Sequence, residues 1–133
     1  MAAAQVLSKK LQSEWLVSKE KKINVATDQV SNPTYIADLV QFISDSILLD
    51  SVGIFHFGSE DSISRYDFAI QISDIFGLNK KLINPVESSF LNQKAKRPLN
   101  SSLDCKKAES EMNVELYPVE YGIRMVNLSI WKF

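Results

Sequence analysis

A mixed α/β chain, in which helices alternate with short strands, follows from three observations on this sequence. Apolar residues recur at helical spacing in four segments, brief β-branched runs fall between them, and the breaks carry proline, glycine or capping residues. At 133 residues the chain reads as a single domain, 1–133, long enough to bury a core without disulfides or metal.

Ala4, Leu7, Leu11 and Trp15 share one helical face, predicting an amphipathic helix over residues 2–17. Ile23-Asn24-Val25-Ala26 reads as a short strand. A polar elbow follows, where Pro33 pushes Asn32 out of the helical region and Thr34 is placed to cap a new helix. In that helix Ile36, Leu39, Val40, Ile43 and Ile47 form an apolar stripe ending near Leu49. Residues 53–58, Gly-Ile-Phe-His-Phe-Gly, read as a strand bracketed by glycines. Ser64 and Asp67 form a capping pattern ahead of the buried stripe Phe68, Ala69, Ile72, Ile75 and Phe76, which Gly77 ends. Residues 82–86 read as a brief strand, Asp104 as the cap of a short helix near 106–112, and Val119, Ile123, Val126 and Ile130 as a last helix after Pro118.

Composition excludes several classes. Hydrophobic content of 45% and a net charge of -1 give no pull on polyanions, so nucleic acid is not an implied partner. The single cysteine, Cys105, cannot close an internal disulfide, and no Cys/His cluster has zinc spacing, which suits a reducing, cytoplasmic setting. No run approaches the ~20 apolar residues of a membrane span, and no signal segment is evident.

Chemistry concentrates in two polar elbows, Asp28-Gln29 through Pro33-Thr34-Tyr35 and Arg97-Pro98-Leu99-Asn100-Ser101. Proline holds Arg97 extended on a loop, where a guanidinium can fork onto a phosphate and Lys94 and Lys96 add positive potential. By spacing alone a solvated basic loop is favoured over a diphosphate site. All four glycines are isolated, so there is no glycine-rich dinucleotide or phosphate loop, and no tyrosine is followed four residues later by lysine. His56 lacks a titratable partner and reads as a strand histidine with a local hydrogen bond; Cys105 reads as packed and inert. No residue is assigned a catalytic, cofactor-binding or metal-binding role.

With residues 53–58 and 64–69 between them, these elbows resemble the C-terminal, substrate-binding half of dTDP-4-dehydrorhamnose reductase and its relatives among extended short-chain dehydrogenases/reductases. Asp28, Gln29, Pro33, Thr34 and Tyr35 match that family's D-Q-x-x-x-P-T elbow, with Ser31-Asn32 where many members have glycine and serine. Arg97, Pro98, Asn100 and Ser101 match its R-P-x-N-S loop. The resemblance implies that Asp28, Gln29, Thr34, Tyr35, Arg97, Asn100 and Ser101 contact a nucleotide-sugar such as a dTDP-hexose. It implies that the Rossmann domain, which binds NADPH and carries the catalytic Thr/Tyr/Lys residues, is absent here, so that the chain takes no cofactor and does not catalyse alone. The same blocks resemble the regulatory beta subunit of methionine adenosyltransferase, though the Asp28-Gln29 elbow is closer to the reductase form. A separate Rossmann chain, a catalytic subunit or a second copy are the partners this implies, and a truncated fragment without independent activity is the remaining alternative.

Overall fold

The computed structural model describes residues 22–130, and the expected helix over 2–17 lies outside them. Strand β1 (Ile23–Ala26) pairs in parallel with β4 (Ile83–Val86), Ile23 opposite Ile83 and Ala26 opposite Val86. Pro85 is tolerated because, among the described residues, this sheet has two strands and each is an edge. On the exposed face, Asn84 donates its carboxamide to Asn24 at 2.8 Å. A second, antiparallel pair joins β2 (Val30–Ser31) to β3 (Ile63–Ser64).

Helix α1 spans Ile36–Leu48, α2 Arg65–Phe76, α3 Lys106–Met112 and α4 Val119–Ile130. The strongest local signals act as expected. Ser64 accepts from the Asp67 amide at 3.0 Å while its hydroxyl donates to the Asp67 carboxylate, and Gly77 closes α2 at φ 66° in the left-handed region. From that fixed start α2 packs on β1, β4 and α4, burying Phe68, Ala69 and Ile72 with Ile83, Val119 and Ile123. The Asp61 carboxylate accepts from the Val119 amide at 2.7 Å, satisfying one orphan donor at the start of α4 from a distant loop.

Three expectations need correction. Residues 53–58 form no strand, because no strand among the described residues offers them a ladder; Ile54 and Phe55 are instead held by Lys107, whose ammonium donates to the Ile54 carbonyl and lies 4.3 Å from the Phe55 ring centre. His56 is therefore not a strand residue, and it is exposed. Thr34 does not cap α1: its hydroxyl turns back to the Asn32 carbonyl at 3.0 Å, and Tyr35 takes the cap position without a side-chain bond. Asp104 contacts the start of α3 through the Lys106 amide, with Cys105 in the cap position.

The apolar stripe of α1 faces outward, and no residue of α1 is buried. Ile47 is 70% and Leu48 80% exposed, and Val52 and Ile54 just beyond are more than three-quarters exposed. A denaturant titration should separate the two helices. Phe68→Ala in α2 should lose about 3–5 kcal/mol, whereas Ile47→Ala in α1 should stay within about 0.5 kcal/mol of the parent.

Candidate functional site

The first elbow begins where β1 ends. The Asp28 carboxylate accepts from the Ser88 hydroxyl at 2.7 Å and the Ser88 amide at 2.9 Å. The hydroxyl bond is the main reason its carboxyl sits below the usual range; desolvation opposes the shift, and the amide bond adds to it. Gln29, 4% exposed, donates its amide to Gln93 at 3.1 Å, while its Oε1 has no partner among the described residues. Its main-chain carbonyl accepts from Arg65 at the head of α2. The elbow is thus tied to both the 88–93 segment and the core helix.

The second elbow joins the first directly. Val30 donates to the Leu99 carbonyl at 2.8 Å, Ser101 donates to the Val30 carbonyl at 3.0 Å, and Val30 and Asn100 form an isolated parallel bridge. The Ser101 hydroxyl reaches the same carbonyl, and Asn100 accepts from the Ser102 amide. Residues about seventy apart in sequence therefore meet edge to edge. Arg97 stands three residues before this junction, exposed, with Lys94 and Lys96 also exposed, and it forms no ion pair among the described residues.

Asn32, which the motif reading noted only as a departure from the family pattern, is the fastener between these loops. Its carboxamide nitrogen donates to the carbonyls of Ser59 at 3.0 Å and Asp61 at 3.3 Å, and its oxygen accepts from the Leu103 amide at 2.7 Å. Gly58 lies against it so closely that an added Cβ would sit 3.0 Å from the Asn32 Cβ. The available signal was Pro33, which fixes the preceding residue in extended backbone and so aims its side chain.

The seven expected contact residues fall into two groups. Asn100 and Ser101 meet the first elbow at Val30, directly after Asp28 and Gln29, which are themselves tied to Ser88 and Gln93, and Arg97 stands at the edge of that junction. Thr34 and Tyr35 lie beyond Asn32, against α4, where an added Cβ on Gly122 would come within 2.9 Å of the Tyr35 Cβ. Tyr35 lines a separate groove with Asp38, Phe42, Phe57, Tyr117 and Tyr121, and Arg97 does not. The junction offers hydrogen-bond donors, acceptors and a free guanidinium, the chemistry of holding a polar ligand. Cys105 is buried, and burial, aided by the neighbouring carboxylates of Asp104 and Glu109, pushes its thiol up, away from the reactive thiolate. No group of metal-ligating side chains occurs among the described residues, and no helix among them is long and apolar enough to cross a membrane.

Comparison with known proteins identifies the family. The model of the RmlD substrate binding domain fits residues 8–129. A dTDP-4-dehydrorhamnose reductase of Aggregatibacter actinomycetemcomitans is 35% identical over 104 residues, 70% of this chain and 35% of that protein. The methionine adenosyltransferase 2 subunit beta of Rattus norvegicus is 29% identical over 118 residues, 85% of this chain and 34% of the relative. Among solved structures, a dTDP-4-dehydrorhamnose reductase ortholog from Clostridium acetobutylicum superposes with a TM-score of 0.78 at 26% identity, over 86% of this chain and 41% of that one. The reductase from Bacillus anthracis in complex with NADP gives 0.77 at 24% identity, over 90% and 41%. The chain belongs to the RmlD substrate binding domain family and spans about a third of the length of the curated relatives it matches.

The lowered Asp28 carboxyl has a consequence for acid stability. Its contribution is fully present above the unfolded-state value and is lost as pH falls through the lower folded-state value. Thermal unfolding followed by circular dichroism should show a falling Tm below about pH 4, and Asp28→Asn should flatten that limb while lowering stability at neutral pH.

Proposed function

We propose that this chain is the nucleotide-sugar-binding portion of a dTDP-4-dehydrorhamnose reductase-like protein and that it does not catalyse alone. The observation that carries the reading is the bridge between Val30 and Asn100, which joins the two family motifs into one surface, with the Arg97 guanidinium, in no ion pair among the described residues, at its edge. Arg97 takes the diphosphate in two parallel hydrogen bonds, and Lys94 and Lys96 add charge. Asp28, Asn100 and Ser101 supply acceptors and donors to the ligand's hydroxyls, and the buried Gln29 backs them through its bond to Gln93. Thr34 and Tyr35 border the sugar side.

In the complete family member NADPH supplies the hydride that reduces a dTDP-4-keto sugar. The residues present do not suit that cofactor, since Gly53, Gly58, Gly77 and Gly122 are scattered over separate loops and helices and make no phosphate cradle. A Rossmann fold outside these residues, upstream or on another chain, therefore completes the site. The outward apolar stripe of α1, continuous in sequence with exposed Val52 and Ile54, supports a missing protein layer there. The similarity to the methionine adenosyltransferase beta subunit, over 85% of this chain, favours a second reading in which the same face serves a regulatory interaction.

Titration of the isotope-labelled chain with dTDP, followed by NMR, tests the first reading. Shifts should concentrate at residues 28–31 and 94–101, Arg97→Ala should weaken binding at least tenfold, and Arg97→Lys should restore part of it. An unchanged spectrum at millimolar dTDP would remove the nucleotide-sugar reading and leave the regulatory one.

A further inference from the structure

We propose that the groove between α1, residues 112–117 and α4 receives a basic segment of a protein partner, with an arginine or lysine side chain seated between Asp38 and the aromatic walls. The groove holds about 630 Å³, inside the roughly 300–1,000 Å³ of ordinary binding clefts. Its walls are paired rings: Phe42 stacks on Phe57 with centroids 4.5 Å apart, and Tyr117 on Tyr121 at the same separation. Among the described residues, every charged residue lining it is a carboxylate, Asp38, Asp45 or Glu115, and no lysine, arginine or histidine lines it.

Two of these carboxylates already have neutral donors. Gln41 donates to Asp45 at 2.9 Å, and the Tyr117 hydroxyl donates to Glu115 at 2.9 Å. Asp38 is half-buried with neither an ion pair nor a hydrogen bond among the described residues, and burial pushes its carboxyl up. A first-turn aspartate gains from the helix dipole, but that leaves unexplained why it is set among rings and methionines with its charge unmatched. A carboxylate partly stripped of water is completed by a cation, and a guanidinium laid on a tyrosine face supplies the charge together with a cation–π contact. The same negative charge repels a diphosphate, which separates this groove from the Arg97 loop in chemistry as well as in position. The inference does not depend on nucleotide-sugar binding.

The test uses the full chain and two synthetic peptides, acetyl-Ala-Arg-Leu-Leu-Arg-Ala-amide and its counterpart with glutamate for arginine. The arginine peptide should bind saturably by calorimetry, with NMR shifts confined to residues 35–49 and 112–125, and the glutamate peptide should not bind. Asp38→Asn should weaken the arginine peptide at least tenfold without altering dTDP shifts at Arg97. Should that variant misfold, Tyr121→Ala on the exposed side of α4 should give a loss in the same direction. Equal binding of both peptides, no binding of the arginine peptide, or affinity indifferent to both variants would overturn the proposal.

Discussion

The arrangement of the two elbows depends on one carboxamide. Asn32 uses both ends of its side chain, donating to the 59–61 loop and accepting from Leu103, and so holds three otherwise separate stretches at fixed distances. A half-buried amide with all these partners is stable only while each loop stays in place, because releasing one leaves a polar group unsatisfied. Its position is set in turn by Pro33 behind it and by the close approach of Gly58, where a larger residue would collide. The neighbouring Val30 bridge extends the same constraint to the Arg97 loop. Ser59, buried beside it, donates to the Pro33 carbonyl and closes the ring of contacts.

This framework explains how a small core positions a large polar surface. The packed apolar residues sit in α2, α4, β1 and β4, on one side of the elbow. Rigidity reaches the loops through polar links instead: Arg65 to Gln29, Asp61 to α4, Ser88 to Asp28. Such links carry direction, whereas apolar contacts carry mainly stability. Helix α1 stands apart from both systems. Among the described residues its apolar stripe is uncovered and the run at 53–58 forms no ladder.

Much of this was legible in the residues. Helix α2 was readable because Ser64, Asp67 and Gly77 specify its ends chemically and Phe68, Ala69 and Ile72 specify its buried face. Both elbows and the loop position of Arg97 followed from Pro33 and Pro98. The strand at 53–58 was misread because β-branched and aromatic composition reports suitability for a sheet, while a strand exists only where another supplies its hydrogen bonds. Thr34 was misread as a cap because its hydroxyl had a nearer acceptor in the Asn32 carbonyl. Pro33 signalled how Asn32 is aimed, but the contact between the elbows lay beyond sequence reasoning, since nothing local encodes a pairing across seventy residues.

Native-state hydrogen exchange at three amides tests most directly whether the elbows form one unit. Val30, Ser101 and Leu103 donate respectively to Leu99, Val30 and the Asn32 side chain. If the junction is a single constraint, these amides are protected together in the parent, and Asn32→Ala lowers protection at all three by a common factor while the α2 amides keep theirs. Loss of protection at Leu103 alone, with Val30 and Ser101 unchanged, would show that the two elbows are held independently and would contradict the account.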